Sequence, residues 1–142
     1  MYQLKVKDHF DAAHQLDDYI GKCHNLHGHR WDVEVCLQGE KLDKTNMLID
    51  FSVVKSILKN IFERYLDHMH LNERLVERNP SAEFLAEWIY NLLNKWMEQY
   101  PILLIGVTVW ESPECSVTYS CDNEQPQGVA ALFESMKVVG GK

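Results

Sequence analysis

The sequence has little of what marks several specialised classes of protein. It contains four cysteines and four prolines in 142 residues, and the cysteines are too sparse and uneven to indicate the disulfide framework of a small secreted domain. No stretch approaches the roughly 18 apolar residues of a transmembrane helix. The N-terminus alternates polar and apolar residues and lacks the continuous apolar core of a signal peptide. We therefore expect reduced thiols and a cytoplasmic location.

Clustered positive charge is also missing. The formal net charge is −7, and no run of lysine and arginine interrupts the sequence. Nucleic acids and anionic membranes both select clustered cations, so we expect neither as a partner. The chain is long enough to bury a core of its own and shows no linker or repeat. This predicts one domain over residues 1–142.

Hydrophobic periodicity predicts an α+β fold. Alternation indicates strands, 3.6-residue spacing indicates helices, and turn residues separate them. The predicted strands cover residues 2–13, 29–38, 102–111 and 115–121, the predicted helices cover residues 50–66 and 79–100, and a short helix is possible at 128–137. The order ββααββ predicts a four-stranded antiparallel sheet with two helices on one face. Such a sheet has exposed edge strands, which favour oligomerisation.

A segment of unusual composition, KCHNLHGHRW, precedes and enters the second predicted strand. Residues His27 and His29 are two apart, so their side chains point to the same side of an extended chain and can bind one ion. His14, at the end of the first predicted strand, is a candidate third ligand. Three histidines with an open fourth position are typical of catalytic zinc sites. The pattern also fits histidines that only form hydrogen bonds in a loop, because two-histidine spacings are common by chance.

Cys23 lies four residues before His27 and allows two interpretations. As a fourth ligand it would close a structural zinc site; as a free thiolate beside the metal it would be a reactive base. The segment LDHMHLN supplies Asp67 with His68, or alternatively His70, as a pair in which an acid orients a histidine that takes the thiol proton. An acid–histidine pair at a helix end is also common as a solvated cap.

Two further groups have open interpretations. Glu111 ends the apolar segment GVTVWES, either as an exposed strand-end acid or as a carboxylate that accepts two hydrogen bonds from the N–H edge of a guanine-like or pterin ring. Lys22 and Arg30 flank the histidine segment and either bind a small anion such as triphosphate or lie on a solvated surface.

Together these segments resemble the 6-pyruvoyltetrahydropterin synthase / 6-carboxytetrahydropterin synthase family. The resemblance extends over most of the chain, and the joint pattern is specific although each short segment is not. The matching segments are FDAAH (10–14), CHNLHGH (23–29), MLIDF (47–51), LDHMHLN (66–72), NPSAEFLAEWIY (79–90) and VWES (109–112). The spacing of Cys23 before the HGH motif resembles the bacterial carboxypterin enzymes of queuosine biosynthesis more than the animal pyruvoyl enzymes.

The resemblance implies a role for each candidate residue. Zinc would be bound by His14, His27 and His29, proton transfer would involve Cys23 with Asp67 and His68, and the pterin ring would be bound by Glu111 and Ser81. The family motif at this last position usually reads P-T-x-E-N. Here it reads PSAEF, so Ser81 keeps the hydroxyl while Phe84 replaces the usual asparagine.

The implied activity is a zinc-dependent lyase reaction on a small pterin triphosphate. It would convert 7,8-dihydroneopterin triphosphate to 6-carboxy-5,6,7,8-tetrahydropterin, with release of acetaldehyde and triphosphate, in queuosine biosynthesis. Two alternatives stay open: a 6-pyruvoyltetrahydropterin synthase with the same site, and a non-catalytic zinc-stabilised interaction module in which Cys23 closes the metal shell. The family's tunnelling fold implies sheets from several subunits closed into a barrel, as a homohexamer (a dimer of trimers) with active sites between subunits.

Overall fold

A four-stranded antiparallel sheet in the order β1-β2-β3-β4 is the frame of the molecule. The structure is a computed structural model that describes residues 1–121; the helix predicted at 128–137 lies outside the described residues. The strands are β1 (Tyr2–His14), β2 (His27–Gly39), β3 (Leu103–Ser112) and β4 (Cys115–Tyr119). All four predicted strands are confirmed, and the first two extend to include the histidines of the candidate site.

Three helices follow the first hairpin and precede the second. They are α1 (Phe51–Tyr65), α2 (Leu71–Arg74) and α3 (Ala82–Met97). Asp50 begins α1 with a side chain that accepts a hydrogen bond from the Ser52 N–H at 2.8 Å, as an N-cap residue does. The predicted two long helices are confirmed. The sequence did not predict α2 or the 3-10 turn at Lys22–His24, because a single turn has no measurable periodicity.

One face of the sheet packs against the helices and forms the core. Alternate residues of β2, such as Trp31, Val33 and Val35, are fully buried there, and each large side chain so buried contributes about 1.5–3 kcal/mol. The other face is polar: Lys5 lies 3.6 Å from Glu34 across the strands. This segregation confirms the predicted α+β arrangement with helices on one face. Within residues 1–121, no helix has the length and apolar composition that a membrane span requires.

The pairing of β1 with β2 brings the candidate site together. The register runs without a bulge from Tyr2 opposite Gly39 to His14 opposite His27. Thirteen consecutive pairs fix this register, because a slip of one residue would turn the buried face of each strand to solvent. The end of β1 therefore lies beside the beginning of β2, as the sequence predicted for His14.

Candidate metal centre and active site

Three histidines converge at the end of the first hairpin. His14 ends β1 and is 1% exposed, while His27 and His29 begin β2 on the same, helix-facing side. The ring of Trp31 lies beneath them, with its centroid 4.8 Å from that of His14 and 5.2 Å from that of His29. An apolar aromatic floor and two paired strands thus hold the imidazoles in place.

The ring nitrogens of these histidines point toward one another. The Nε2 atoms of His14 and His27 are 3.0 Å apart. Each of these rings has its Nδ1 against a backbone carbonyl, at 2.7 Å from Pro80 for His14 and 2.6 Å from Asn25 for His27. A carbonyl only accepts, so each Nδ1 carries the hydrogen and each Nε2 presents a lone pair. Two facing lone pairs repel unless a cation lies between them, and a second-sphere carbonyl is the usual support of a metal-bound histidine.

His29 completes the set. Its Nε2 is buried and makes no hydrogen bond of regular geometry within residues 1–121, and the acidic Oε1 of Glu111 lies 3.1 Å from it. Burial in the apolar surroundings lowers the pKa of His29 and of His14, because desolvation disfavours the charged imidazolium. Neutral imidazole is the form that binds a metal ion. The residues present therefore fit a divalent metal ion.

Glu111 joins the histidine cluster at the end of β3. Its Oε1 lies 3.1 Å from Nε2 of His29 and 3.4 Å from Nε2 of His14. One ligand atom from each of His14, His27, His29 and Glu111 lies within 4.8 Å of the others. The sequence left Glu111 either as an exposed strand-end acid or as a ring-binding carboxylate. It did not indicate this proximity, because β3 is separated from the histidines by more than seventy residues. Only the pairing of β3 with β2 brings it there.

Asp67 and His68 form the predicted acid–histidine pair after α1. Asp67 Oδ2 lies 2.9 Å from His68 Nδ1, and its Oδ1 accepts a hydrogen bond from the Asp11 N–H at 2.9 Å. The Asp67 carboxylate raises the pKa of His68, and the hydrogen bond from Asp11 lowers the pKa of Asp67. His70 instead lies 3.3 Å from Glu73. Of the two histidines that the sequence offered, His68 is the one paired with Asp67.

An open cavity of about 560 Å³ has one member of each cluster, His29 and His68, among its walls. Its walls include His29 and Arg30 from β2 and His68 and His70 from the segment after α1. The cavity therefore brings His29 of the metal cluster, the cation of Arg30 and the His68 side of the acid–histidine pair to a common space. Arg30 therefore lies where it could bind an anion inside the cavity, as one of its two predicted interpretations requires. Its Nε also lies 3.4 Å from Oδ1 of Asp11.

Cys23 lies apart from both clusters within the described chain. It belongs to the 3-10 turn Lys22–His24, is partly exposed, and is a free thiol. Its sulfur is not a member of the ligand cluster found in residues 1–121, and it is not among the walls of the cavity beside His68. The geometry therefore disfavours Cys23 as the fourth ligand of a closed metal shell.

Comparison with known proteins identifies the family of the chain. A sequence model described as 6-pyruvoyl tetrahydropterin synthase matches residues 3–122, which include every candidate residue named above. The chain belongs to this family. The resemblance inferred from the short segments is confirmed.

Three members of this family align with more than half of the chain. The 6-carboxy-5,6,7,8-tetrahydropterin synthase of Haemophilus influenzae is 32% identical, over 84% of this chain and 99% of its own. The protein of the same name from Synechocystis is 39% identical over 61% of this chain and 70% of its own. The 6-pyruvoyl tetrahydropterin synthase of Caenorhabditis elegans has a similar structure, with a TM-score of 0.72 and 26% identity over 84% of this chain and 95% of its own.

Membership of the family makes the chain an enzyme of the lyase type. The site supplies what such an enzyme needs at the level of the residues: a group of ligands that can hold a metal ion, and a separate pair that can hold a proton. In the structure, Ser81 is the N-cap residue of α3, because its Oγ accepts a hydrogen bond from the Phe84 N–H at 3.2 Å. A pterin contact of this hydroxyl stays a prediction.

Proposed function

We propose that this chain is a zinc-dependent 6-carboxy-5,6,7,8-tetrahydropterin synthase that acts on 7,8-dihydroneopterin triphosphate in the cytoplasm. The observation that carries the proposal is the cluster of three inward-facing imidazoles beside a cavity that also reaches His68. The curated relatives named for the carboxy product support the choice of reaction. Acetaldehyde and triphosphate would be the other products.

The metal would be held by His14, His27 and His29. Three protein ligands with a fourth position left for substrate are the arrangement of catalytic zinc sites. Bound zinc would supply Lewis acidity toward the hydroxyls of the substrate side chain. The carbonyls of Pro80 and Asn25 keep His14 and His27 in the tautomer that the metal requires.

Proton transfer is assigned to Cys23 together with Asp67 and His68. The Cys23 thiolate would take a carbon-bound proton beside the pterin ring, and the Asp67–His68 pair would receive and return protons. Cys23 is not among the walls of the cavity that includes His68, and we propose that a homo-oligomer, a hexamer in the family's arrangement, combines Cys23 with the Asp67–His68 pair between subunits. The exposed edge of the sheet is the surface for this association.

Glu111 is assigned to the pterin ring and not to the loaded metal. Three histidines already complete the usual protein share of a catalytic zinc site. The family resemblance implies this part for Glu111, and a carboxylate can accept the paired N–H groups of a pterin edge with its two oxygens. Glu111→Gln should therefore retain zinc at the wild-type ratio and raise the KM, measured by metal analysis and steady-state kinetics. Loss of zinc with an unchanged KM would make Glu111 a metal ligand.

The decisive experiment is identification of the products. The zinc-loaded protein is incubated with 7,8-dihydroneopterin triphosphate, and we expect acetaldehyde, triphosphate and the 6-carboxy product. A pyruvoyl product without acetaldehyde would replace the proposal with the 6-pyruvoyltetrahydropterin synthase reaction. Cys23→Ala with zinc retained should lose about 10²–10⁴ in rate, and full turnover by this variant would remove Cys23 from the mechanism.

A further inference from the structure

The segment 15–17, which follows β1 and enters a turn at Asp17, has hydrogen-bond partners on two opposite edges. On one edge, the Leu16 N–H donates to the carbonyl of Cys23 at 2.7 Å. The Leu16 carbonyl lies 3.3 Å from Nδ1 of His24. None of the residues Lys22–His24 is buried. The turn that carries Cys23 is therefore held through Leu16 and not by packing in a core.

Two asparagine side chains occupy the opposite edge. The Asn72 amide accepts from the Gln15 N–H at 2.9 Å and donates to the Gln15 carbonyl at 2.8 Å. The Asn79 amide does the same with Asp17, at 3.0 Å and 2.7 Å. Each amide thus imitates the backbone of a neighbouring strand. Four hydrogen bonds hold residues 15–17 from this side.

The alternation of hydrogen-bond partners along residues 15–17 connects the two edges. The backbone groups of Gln15 and Asp17 bind the asparagines, and the N–H of Leu16 between them binds the carbonyl of Cys23. Fixing the two outer residues fixes the direction of the Leu16 N–H. The asparagines are therefore connected to the Cys23 turn through Leu16, without a direct hydrogen bond to Cys23.

The two asparagines are themselves fixed to the metal centre. Asn79 precedes Pro80, whose carbonyl accepts from His14. Asn72 follows a segment paired with β1, in which the His68 N–H donates to Asp11 at 2.6 Å and the Ala13 N–H donates to Met69 at 3.1 Å. Residues 68–80 thus form one support for a metal ligand, for the Asp67–His68 pair and for the segment 15–17.

We infer that Asn72 and Asn79 are positioning residues that hold Cys23 at its reacting place relative to the metal centre. The inference rests on the proposed function, in which Cys23 transfers the proton. Positioning is worth much in catalysis, because displacement of a reacting group by about 1 Å costs on the order of 10² in rate. If the two amides had only a structural role, replacing them would lower the stability of the fold without this loss of catalytic rate.

The test uses the zinc-loaded, full-length protein with Asn72→Ala. We expect kcat to fall on the order of 10²-fold, with the KM and the zinc content near the wild-type values. Amide hydrogen exchange at Leu16 should become faster, because its segment loses two hydrogen bonds. Asn72→Asp keeps the acceptor for the Gln15 N–H and loses the donor, so its kcat should lie between those of wild type and Asn72→Ala. Asn79→Ala should lower kcat in the same way.

Two control variants separate positioning from stability. Val54→Ala removes packing inside α1, where Val54 is fully buried, and should lower Tm at least as much as Asn72→Ala while kcat stays unchanged. Asn60→Ala removes an exposed asparagine of the same helix and should change neither quantity. In a Cys23→Ala background, Asn72→Ala should leave the residual turnover unchanged, because the group it positions is already absent.

Either of two results overturns the inference: wild-type kcat in Asn72→Ala, or an equal loss of turnover with and without Cys23. Failure of the proposed function is seen separately. It would appear as wild-type protein that releases no acetaldehyde, or as a Cys23→Ala variant with full turnover.

Discussion

The two histidine sites of this protein are opposites in burial, charge and support. His14 is 1% exposed, and burial lowers its pKa. His68 has an 80% exposed side chain, and the adjacent Asp67 carboxylate raises its pKa. A metal ligand must be neutral, whereas a proton carrier must be able to hold charge. The fold thus prepares one histidine to bind a cation and the other to bind a proton.

The backbone is also more regular at His14 than at His68. His14 lies in a strand paired along its whole length with β2, whereas His68 has a positive φ of 57° in the turn after α1. A side chain that binds a metal with two others needs a fixed position. A side chain that relays protons needs only its partner acid and access to the cavity.

The largest effect is expected from His27→Ala, which removes a metal ligand. Loss of a supporting group alone costs 10- to 100-fold in metal affinity or activity, so loss of the ligand itself should weaken zinc binding by roughly 100-fold or more. Metal analysis after dialysis against a weak chelator measures this. His9→Ala, an exposed histidine on β1, is the matched control and should retain the metal. Stoichiometric zinc in His27→Ala would refute the three-histidine site.

The next largest effect is expected from Asp67→Asn, which removes the carboxylate charge that raises the pKa of His68. The pKa of His68, followed by NMR titration, should fall toward the ordinary value near 6.5. Turnover should decrease roughly 10- to 100-fold while zinc stays bound. An unchanged His68 titration would show that Asp67 does not set its charge state. The control is Glu73→Gln, because Glu73 pairs with His70 and not with His68.

The two sites should also give metal-free protein opposite pH dependences of stability. His14 and His29 have lowered folded-state pKa values, so their contribution is lost as pH falls below the unfolded value of about 6.5. His68 has a raised folded-state pKa, so its contribution is present below about 6.5 and is lost as pH rises through the folded value. Denaturant unfolding from pH 5 to 8 measures both. His68→Ala should abolish only the loss on the alkaline side.

The smallest effect is expected from Ser81→Ala. This change removes the cap of α3 and should lower the free energy of unfolding by about 1 kcal/mol, measured by urea denaturation. Metal binding should not change, because the Pro80 carbonyl that supports His14 is a backbone group. A large rise in KM would give Ser81 the pterin contact that the resemblance implies.

The sequence predicted the parts of the site that depend on local spacing. His27 and His29 share a face because any extended chain places residues i and i+2 on one side. The rule that antiparallel strand ends meet predicts that His14 lies beside His27, and the register confirms that position. The long helices were likewise readable from their periodicity and caps.

Contacts between distant segments could not be predicted. Glu111 reaches the histidines only because β3 pairs with β2. The carbonyl supports of His14 and His27, and the amide pairs of Asn72 and Asn79, use backbone groups that every residue possesses. No residue type marks such a contact in a sequence.

The sequence by itself thus determined the α+β fold, the family and the three candidate metal-binding histidines, because periodicity and motif spacing are local properties. The tertiary structure decided which histidine pairs with Asp67, which tautomers His14 and His27 adopt, and how the Cys23 turn is held. Burial and hydrogen bonding set these features, and both arise only when distant segments pack together. That is why two histidines of one chain acquire opposite chemistry.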